Sequence, residues 1–140
     1  LAELGADVLS ETLSRIEELK SLRQNDGDAS FAPIMKKADG LIDWSMNARN
    51  IADRVRGFQP FPTAYTSHRG GRLVIWKATA IEGRAGRPGE VLEASGETLV
   101  VACGHGTALQ IIELQPEGKR RMSARDFLNG AKAAVGEMLG

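Results

Sequence analysis

The sequence predicts a mainly β fold, a small OB-like open Greek-key barrel with flanking α-helices. Between residues 64 and 122, short apolar runs are separated by glycine-containing turns, a spacing typical of small barrels and sandwiches. Helical periodicity is found only on either side of this region. The length of 140 residues, with 42% hydrophobic and 26% charged residues, suits one globular domain with an appendage.

The first 22 residues predict an amphipathic helix. Apolar residues recur at three- and four-residue steps and form one stripe: Leu4, Val8, Leu9, Leu13, Ile16 and Leu19. The pattern begins without a capping residue, from which we expect a truncated chain. Residues 23–33 are polar and rich in turn formers, so we expect an interdomain linker that extends to residue 40.

A second helix is predicted before the barrel. Asp43 or Ser45 can cap it by accepting hydrogen bonds from free backbone N–H groups. Gly57 is expected to end it, and the prolines at 60 and 62 prevent its continuation.

Strands are predicted over residues 64–69, 72–81, 90–94, 98–103 and 108–114, with 119–122 as a last edge strand. Gly70-Gly71 predicts a hairpin between the first two strands, and residues 83–89 form a flexible basic loop. In the second strand, Leu73 and Ile75 are assigned to one face, with Lys77 following them in the alternation.

A third helix is predicted from residue 123 to the end of the chain. Ser123 and Asp126 have the spacing of a capping box. The side chains expected to face the barrel are Phe127, Leu128, Ala131, Val135 and Leu139.

The residues themselves predict a non-catalytic module. No nucleophile–base pair, phosphate-binding loop or metal-ligand spacing is present, and His68 and His105 are expected to be surface residues in turns. The single cysteine, Cys103, lies in an apolar run and is predicted to be buried. One cysteine fits a reducing cytoplasm, and no apolar run is long enough for a membrane span.

The net charge of zero conceals a segregation of charge. Residues 1–35 carry seven acids and three bases, residues 88–118 carry five acids and no base, and residues 119–140 carry five bases and two acids. A basic surface is therefore possible, although a solvated mixed surface is the simpler interpretation. Only Tyr65 and Trp76 are aromatic residues within predicted strands, so base stacking is poorly supported and recognition of phosphates and RNA shape fits better.

Three segments together resemble the C-terminal domain of bacterial methionyl-tRNA formyltransferases. They are Ile42-Asp43-Trp44, the proline turn of residues 55–62, and Leu114-Gln115-Pro116-Glu117-Gly118-Lys119-Arg120-Arg121-Met122. Trp76 supplies the strand tryptophan that is expected in this family. The chain departs from the family pattern at Ile34, where a linker lysine is expected, at Phe61, where a tryptophan is usual, and at His105.

The resemblance implies a division of the chain and a role for it. Residues 1–22 would be the last helix of a catalytic domain, 23–40 the interdomain linker and 41–140 an OB-like tRNA-binding domain. The parent enzyme would transfer a formyl group from 10-formyltetrahydrofolate to initiator methionyl-tRNA. Its catalytic residues and folate pocket would lie in the upstream domain, so no catalytic, cofactor or metal residue is assigned to this chain. The helix stripe, deprived of that domain, could support non-native self-association.

The resemblance makes the barrel a cradle for the inner face of the tRNA. The candidate contacts are Lys36, Lys37, Arg84, Arg87, Lys119, Arg120, Arg121 and Arg125. Arg56 is expected to be structural instead, with a carboxylate or carbonyl partner. Two alternatives remain open. One is the equivalent domain of a folate-dependent sugar or small-molecule formyltransferase, acting as a structural buttress or oligomer contact. The other is a freestanding barrel that binds a protein through the helix stripe.

Overall fold

The computed structural model describes residues 1–131 and 133–140, which form two compact units, Leu1–Pro33 and Ile34–Gly140. The first unit contains helix α1 (Ala2–Ser14) and a short 3-10 turn at Asp26–Asp28. The second contains helix α2 (Ala48–Gly57), helix α3 (Ala124–Ala131) and all the strands. No helix in the described ranges has the length and hydropathy needed to cross a lipid bilayer.

Helix α1 is shorter than the apolar periodicity predicts. Near its end, the Thr12 hydroxyl donates to the Val8 carbonyl at 2.7 Å and the Ser14 hydroxyl donates to the Glu11 carbonyl at 2.7 Å. Such side-chain bonds compete with the backbone ladder and favour a helix end. The whole apolar stripe is exposed, from 48% at Leu19 to 63% at Leu4. Burial therefore adds little to the stability of this helix.

The second unit is built on a six-stranded antiparallel sheet. Its strands are β1 (Ala64–His68), β2 (Gly71–Ile81), β3 (Val91–Ser95), β4 (Thr98–Ala102), β5 (Ala108–Pro116) and β6 (Met122–Ser123). Their order is β1-β2-β5-β4-β3, with β6 paired to β5 beside β4. Strands β3, β4 and β5 follow one another as neighbours in the sheet. Strand β2, which precedes them in the chain, lies on the other side of β5, and this is Greek-key connectivity. The sheet is not closed, so the mainly β open barrel predicted from the sequence is confirmed.

A β-bulge changes the alternation predicted for β2. The register moves from Ile75 opposite Leu114 to Lys77 opposite Glu113, which leaves Trp76 as an extra residue on β2, and then to Ala78 opposite Ile111, which leaves Ile112 as an extra residue on β5. Beyond the bulge, Ala78 packs against the core and Lys77 is exposed. Lys77 therefore does not share the face of Leu73 and Ile75, because one inserted residue exchanges the two faces of the strand.

Two residues hold the start of α2, one directly before the helix and one in the turn before β5. Asn47, rather than Asp43 or Ser45, caps the helix by accepting from the Arg49 N–H at 2.8 Å. Asp43 instead accepts from the backbone and hydroxyl of Ser45, and these bonds lower its pKa. The buried Thr107 hydroxyl accepts from the Ala48 N–H at 2.9 Å, which ties the helix to the turn before β5.

The core lies between the sheet and the two helices of this unit. Ile75, Leu109 and Ile111 are fully buried on the inner face of the sheet. Helix α2 adds Ile51 and Val55. Helix α3 adds Ala124 and Phe127, which are 2% and 3% exposed. Cys103 is buried as predicted, and burial raises the pKa of its thiol to about 12.

The chain after α3 differs from the sequence prediction. The helix ends at Ala131, and Val135 is 66% exposed, so it does not face the barrel. Leu139 is 4% exposed, but it is placed by an extended tail and not by a helix. The tail bonds to β3 through Val91 N–H to Glu137 carbonyl, and to β1 through Gly140 N–H to Ser67 carbonyl. It thus lies between the two edges of the open sheet.

The two histidines have different environments. His105 is exposed in a turn, as predicted, with a left-handed φ of 59°. His68 is not a surface histidine, because its side chain is only 9% exposed. Its ring meets Phe127 edge to face at 5.4 Å, and its Nε2 lies 3.2 Å from Glu137 Oε1. The buried Nε2 atom makes no hydrogen bond to any described residue.

Candidate nucleic-acid interface

Lys119 and Arg120 are presented by the tight turn between β5 and β6. The Lys119 N–H donates to the Pro116 carbonyl at 3.0 Å, and Gly118 supplies the left-handed φ of 69°. The Gln115 side chain donates to the Lys119 carbonyl at 2.8 Å, which fixes the turn from the strand side. Both cationic side chains are exposed, and neither takes part in an ion pair among the described residues. They are therefore available to an external anion.

Arg121, the next residue, is already occupied. It pairs with Glu113 on the adjoining strand. Its guanidinium also lies 5.1 Å from the centre of the Trp76 ring, a cation–π distance. Since Trp76 is the extra residue of the β2 bulge, the bulge places the ring beside Arg121. Because strand side chains hold this arginine, it stabilises the local structure and is less available to an external anion.

Arg125 lies at the start of α3, which directly follows β6. The helix is capped by Ser123, whose hydroxyl accepts from the Asp126 N–H at 3.1 Å, as the capping-box pattern predicts. Arg125 Nη1 lies 3.1 Å from Glu97 Oε1, with both side chains largely exposed. An exposed pair of this kind contributes roughly 0.2–1 kcal/mol and exchanges partners readily. Arg125 can thus leave Glu97 for a phosphate.

Three depressions that share lining residues lie beside these bases. One of about 480 Å³ is lined in part by Arg125 and Ser123. The next, of about 520 Å³, shares Ser123 and is lined by Arg120 and Arg121. A third, of about 380 Å³, is lined by Lys119 and shares Met122 and Asp126 with the second. The four bases at 119, 120, 121 and 125 therefore border neighbouring depressions, which are also lined by the carboxylates Glu97, Glu113 and Asp126, and we call this surface the basic corner.

Arg84 and Arg87 belong to the loop between β2 and β3. Ile81, before the loop, pairs with the first residue of β5, while Lys119 follows the last residue of that strand. Arg84 Nη1 lies 3.6 Å from Glu93 Oε2 on β3. The loop is packed onto the sheet at Gly86, where an added Cβ would lie 2.6 Å from Leu92 and 2.9 Å from Ala102. The loop predicted to be flexible is thus anchored at its middle.

Lys36 and Lys37 lie near the edge of the sheet that is formed by β1. They stand at the start of a 3-10 turn, Lys37–Gly40, in which Asp39 accepts from the Lys36 N–H at 2.6 Å. Leu41, just after the turn, bridges to Tyr65 of β1. Strand β2 therefore separates this pair from β5 and the basic corner. Both side chains are exposed, and no ion pair involving them occurs among the described residues.

The structure thus brings together four of the eight predicted contacts and places the others on different elements. Three of the eight bases pair with carboxylates from the acidic stretch 88–118: Arg84 with Glu93, Arg121 with Glu113, and Arg125 with Glu97. Lys119 and Arg120 are the two adjacent bases of the corner without such a carboxylate in the described residues. They are the strongest candidates for contacts with an anionic ligand.

Two arginines outside the predicted set also shape this unit. Arg72 stacks over the Tyr65 ring, with its guanidinium carbon 3.9 Å from the ring centre. The sequence pattern indicates that Arg72 and Tyr65 lie on neighbouring strands. Their diagonal contact, however, depends on the register of those strands. Arg56 bonds Asp53 Oδ1 at 2.9 Å, which agrees with the expectation of a carboxylate partner.

A family model described as "Formyl transferase, C-terminal domain" matches residues 34–132. A methionyl-tRNA formyltransferase from Koribacter versatilis is 46% identical over 142 aligned positions, covering 100% of this chain and 45% of that protein. One from Citrifermentans bemidjiense is 44% identical, covering 100% of this chain and 44% of that protein. The chain therefore spans about half the length of these curated relatives.

Among solved structures, HypX from Aquifex aeolicus in complex with tetrahydrofolic acid aligns with a TM-score of 0.62. The match covers 94% of this chain and 24% of HypX, at 20% sequence identity. A variant of the same protein gives a TM-score of 0.63 at 20% identity. At this identity the likeness concerns the fold alone.

Proposed function

Because this chain belongs to the formyl transferase C-terminal domain family, we propose that it is the tRNA-holding part of a methionyl-tRNA formyltransferase. The parent polypeptide would transfer a formyl group from 10-formyltetrahydrofolate to initiator methionyl-tRNA in the cytoplasm. Its upstream catalytic domain would be the intramolecular partner of this chain and would hold the folate. In this proposal no catalytic or folate-binding residue belongs to the 140 residues.

The basic corner is the observation that carries the proposal. Lys119 and Arg120 are exposed, adjacent and fixed by a turn whose backbone is hydrogen-bonded at both sides. Arg125 lies on the same concave surface with a partner that it can exchange. Cations grouped beside adjoining depressions suit the closely spaced negative charges of an RNA backbone. Such contacts would fix the orientation of the tRNA and add little sequence choice.

Lys36, Lys37, Arg84 and Arg87 have secondary roles in this proposal. The first two lie close in sequence to the start of the second compact unit, at Ile34. Arg84 would need to leave Glu93 before it could bind a phosphate. We therefore expect these four bases to contribute less affinity than Lys119 and Arg120.

Salt dependence tests the proposal. The chain should bind initiator tRNA with an affinity that falls with salt, at a log–log slope of roughly 0.7–0.9 per contacted phosphate. Replacing Lys119 and Arg120 together by alanine should flatten that slope by about one to two units. The affinity is measured by fluorescence anisotropy of labelled tRNA at several salt concentrations.

The control removes the same charge elsewhere. Lys20 and Arg49 are exposed and lie outside the basic corner, so the double alanine variant K20A/R49A should keep the wild-type slope. An affinity that does not change with salt, or an equal slope in K119A/R120A and wild type, would contradict the proposal.

The alternative role as a buttress in a sugar or small-molecule formyltransferase is supported by one observation. Arg84, Arg121 and Arg125 are all paired within the chain, as expected of bases that stabilise a domain rather than bind RNA. If that role is correct, tRNA binding should be absent at low salt. The two exposed cations at Lys119 and Arg120 favour the tRNA role over it.

A further inference from the structure

The third depression of the basic corner has a lining unlike that of the other two. Pro116, Met122 and Phe127 give it an apolar floor, and Gly130 and Ala131 of α3 complete one side. Its volume of about 380 Å³ falls within the range of small-ligand pockets. A planar ring placed there would displace water from apolar surface, which is favourable.

Polar groups border this floor on two sides. Asp126 Oδ2 accepts from the Ser123 hydroxyl at 2.9 Å, which leaves most of the acceptor sites of the carboxylate available. Asp126 takes part in no ion pair among the described residues, although Lys119 lines the same depression. His68, held against Phe127 and Glu137, forms a fixed wall. The site thus combines a hydrogen-bond acceptor and a cation with an apolar floor.

From this combination we infer that the depression receives one unpaired nucleobase of the bound RNA, with guanine preferred. The inference rests on the proposed function, since the RNA backbone must first be held by Lys119 and Arg120. A backbone held at that turn brings the bases of neighbouring nucleotides to the mouth of the depression. Guanine has two adjacent N–H donors, at N1 and N2, which match a carboxylate. Uracil has one such donor, so Asp126 favours guanine.

The strand aromatics do not offer an equivalent place for a base. The face of Tyr65 is covered by Arg72 at 3.9 Å, and Trp76 is faced by Arg121 at 5.1 Å. A base that stacked on the same face of either ring would have to displace an arginine. The depression beside Lys119 needs no such displacement, so it is the preferred site.

Gly130 allows the depression to be filled without removing any charge. An added Cβ at Gly130 meets nothing within 4 Å, and the residue is inside a helix. G130L should therefore fold, with a melting temperature equal to or above that of the wild type, because leucine is a better helix former than glycine. N129L adds similar bulk at the neighbouring exposed position, which does not line the depression, and serves as the control.

The probe is a short oligouridine with one central guanosine, compared with the same strand carrying an abasic ribose there. Wild type and N129L should bind the guanosine strand roughly five- to tenfold more tightly than the abasic strand. G130L should bind both strands equally and keep the wild-type salt slope. D126N should keep tight binding of a base but lose the preference for guanosine over uridine.

The outcomes separate this inference from the proposed function. Equal binding of the two strands by wild type, or an undiminished guanosine preference in G130L, would overturn the nucleobase site even if the salt slope persists. A flat salt dependence would overturn the phosphate contacts, whatever the base preference. An undiminished preference in D126N would overturn the assignment of guanine selection to Asp126.

Discussion

Glu137 links the tail to the end of β1 through a single carboxylate. It accepts from Arg69 Nε at 2.8 Å and from the Ala134 N–H at 3.1 Å, and His68 lies 3.2 Å away. The Arg69 hydrogen bond is the largest cause that lowers the pKa of Glu137, from 4.5 to about 2. Arg69 also donates to the Ala131 carbonyl at 3.0 Å, so the same side chain caps α3. Together these bonds fix the path of the chain after the helix.

This lowered pKa makes the stability of the fold depend on acid. Since the folded carboxylate keeps its charge below its ordinary pKa, its contribution is complete above pH 4.5 and is lost as the pH falls toward 2. E137Q should therefore lower the free energy of unfolding by about 1–2 kcal/mol at pH 7. The difference between wild type and E137Q should shrink between pH 4.5 and 2.

Urea unfolding at several pH values measures this difference. E3Q, which changes an exposed glutamate at the start of α1, should match the wild type throughout. A gap between wild type and E137Q that is the same at pH 7 and pH 2 would show that the carboxylate charge is not its cause.

At the scale of elements, the contact between the Gly104 turn and the segment before α2 sets the position of that helix. The Gly104 N–H donates to the Trp44 carbonyl at 2.9 Å and to the Met46 carbonyl at 3.0 Å. A Cβ at Gly104 would overlap the Ser45 carbonyl oxygen, which belongs to the backbone and cannot rotate away. Only glycine allows this approach.

G104A should consequently lower the free energy of unfolding by at least about 2 kcal/mol, because the clash must be relieved by moving α2 away from the sheet. Thermal unfolding monitored by circular dichroism measures the change. G57A is the matched control, since a Cβ there meets nothing within 4 Å at the end of α2, and it should be neutral or slightly stabilising. Equal effects of the two substitutions would contradict the role given to Gly104.

The elements also show where sequence patterns succeed and where they fail. The five main strands and both helices of the second unit occur where apolar periodicity and turn glycines predict them, whereas the last strand is Met122–Ser123 and not 119–122, and α2 is capped by Asn47 and not by Asp43 or Ser45. The β2 bulge could not be predicted from the sequence, because the register against β5 determines that Trp76 is the extra residue. The capping box at Ser123 was predicted from the sequence. The end of α3 was not, because the Ala131 carbonyl accepts a hydrogen bond from Arg69, a residue distant in sequence.

At the scale of the whole second unit, the tail after α3 lies between the two edges of the open sheet. Leu139 N–H donates to the Gly89 carbonyl, and Gly140 N–H to the Ser67 carbonyl, at 2.8 and 3.0 Å. Leu139 itself is buried. The tail therefore covers edge-strand backbone groups that could otherwise pair with another chain.

Deleting residues 136–140 should expose both sheet edges and remove the buried Leu139 side chain. We expect a loss of roughly 2–5 kcal/mol of unfolding free energy, the range for truncating a buried leucine, together with concentration-dependent association. Thermal unfolding and light scattering over a range of concentrations measure these effects. L139A separates the two causes, because it should destabilise the unit without association. A truncated chain that stays monomeric would contradict the edge-covering role.

The sequence alone determined the mainly β class, the positions of its five main strands, the family resemblance and the eight candidate bases, because these follow from periodicity, turn residues and local motifs. Only the tertiary structure decided which of those bases are available. Ion pairing joins Arg84, Arg121 and Arg125 to carboxylates on other elements, and the fold places Lys119 beside an apolar depression and Arg120 beside the adjoining one. Such pairings depend on the distances between strands and helices, which no local pattern in the chain specifies.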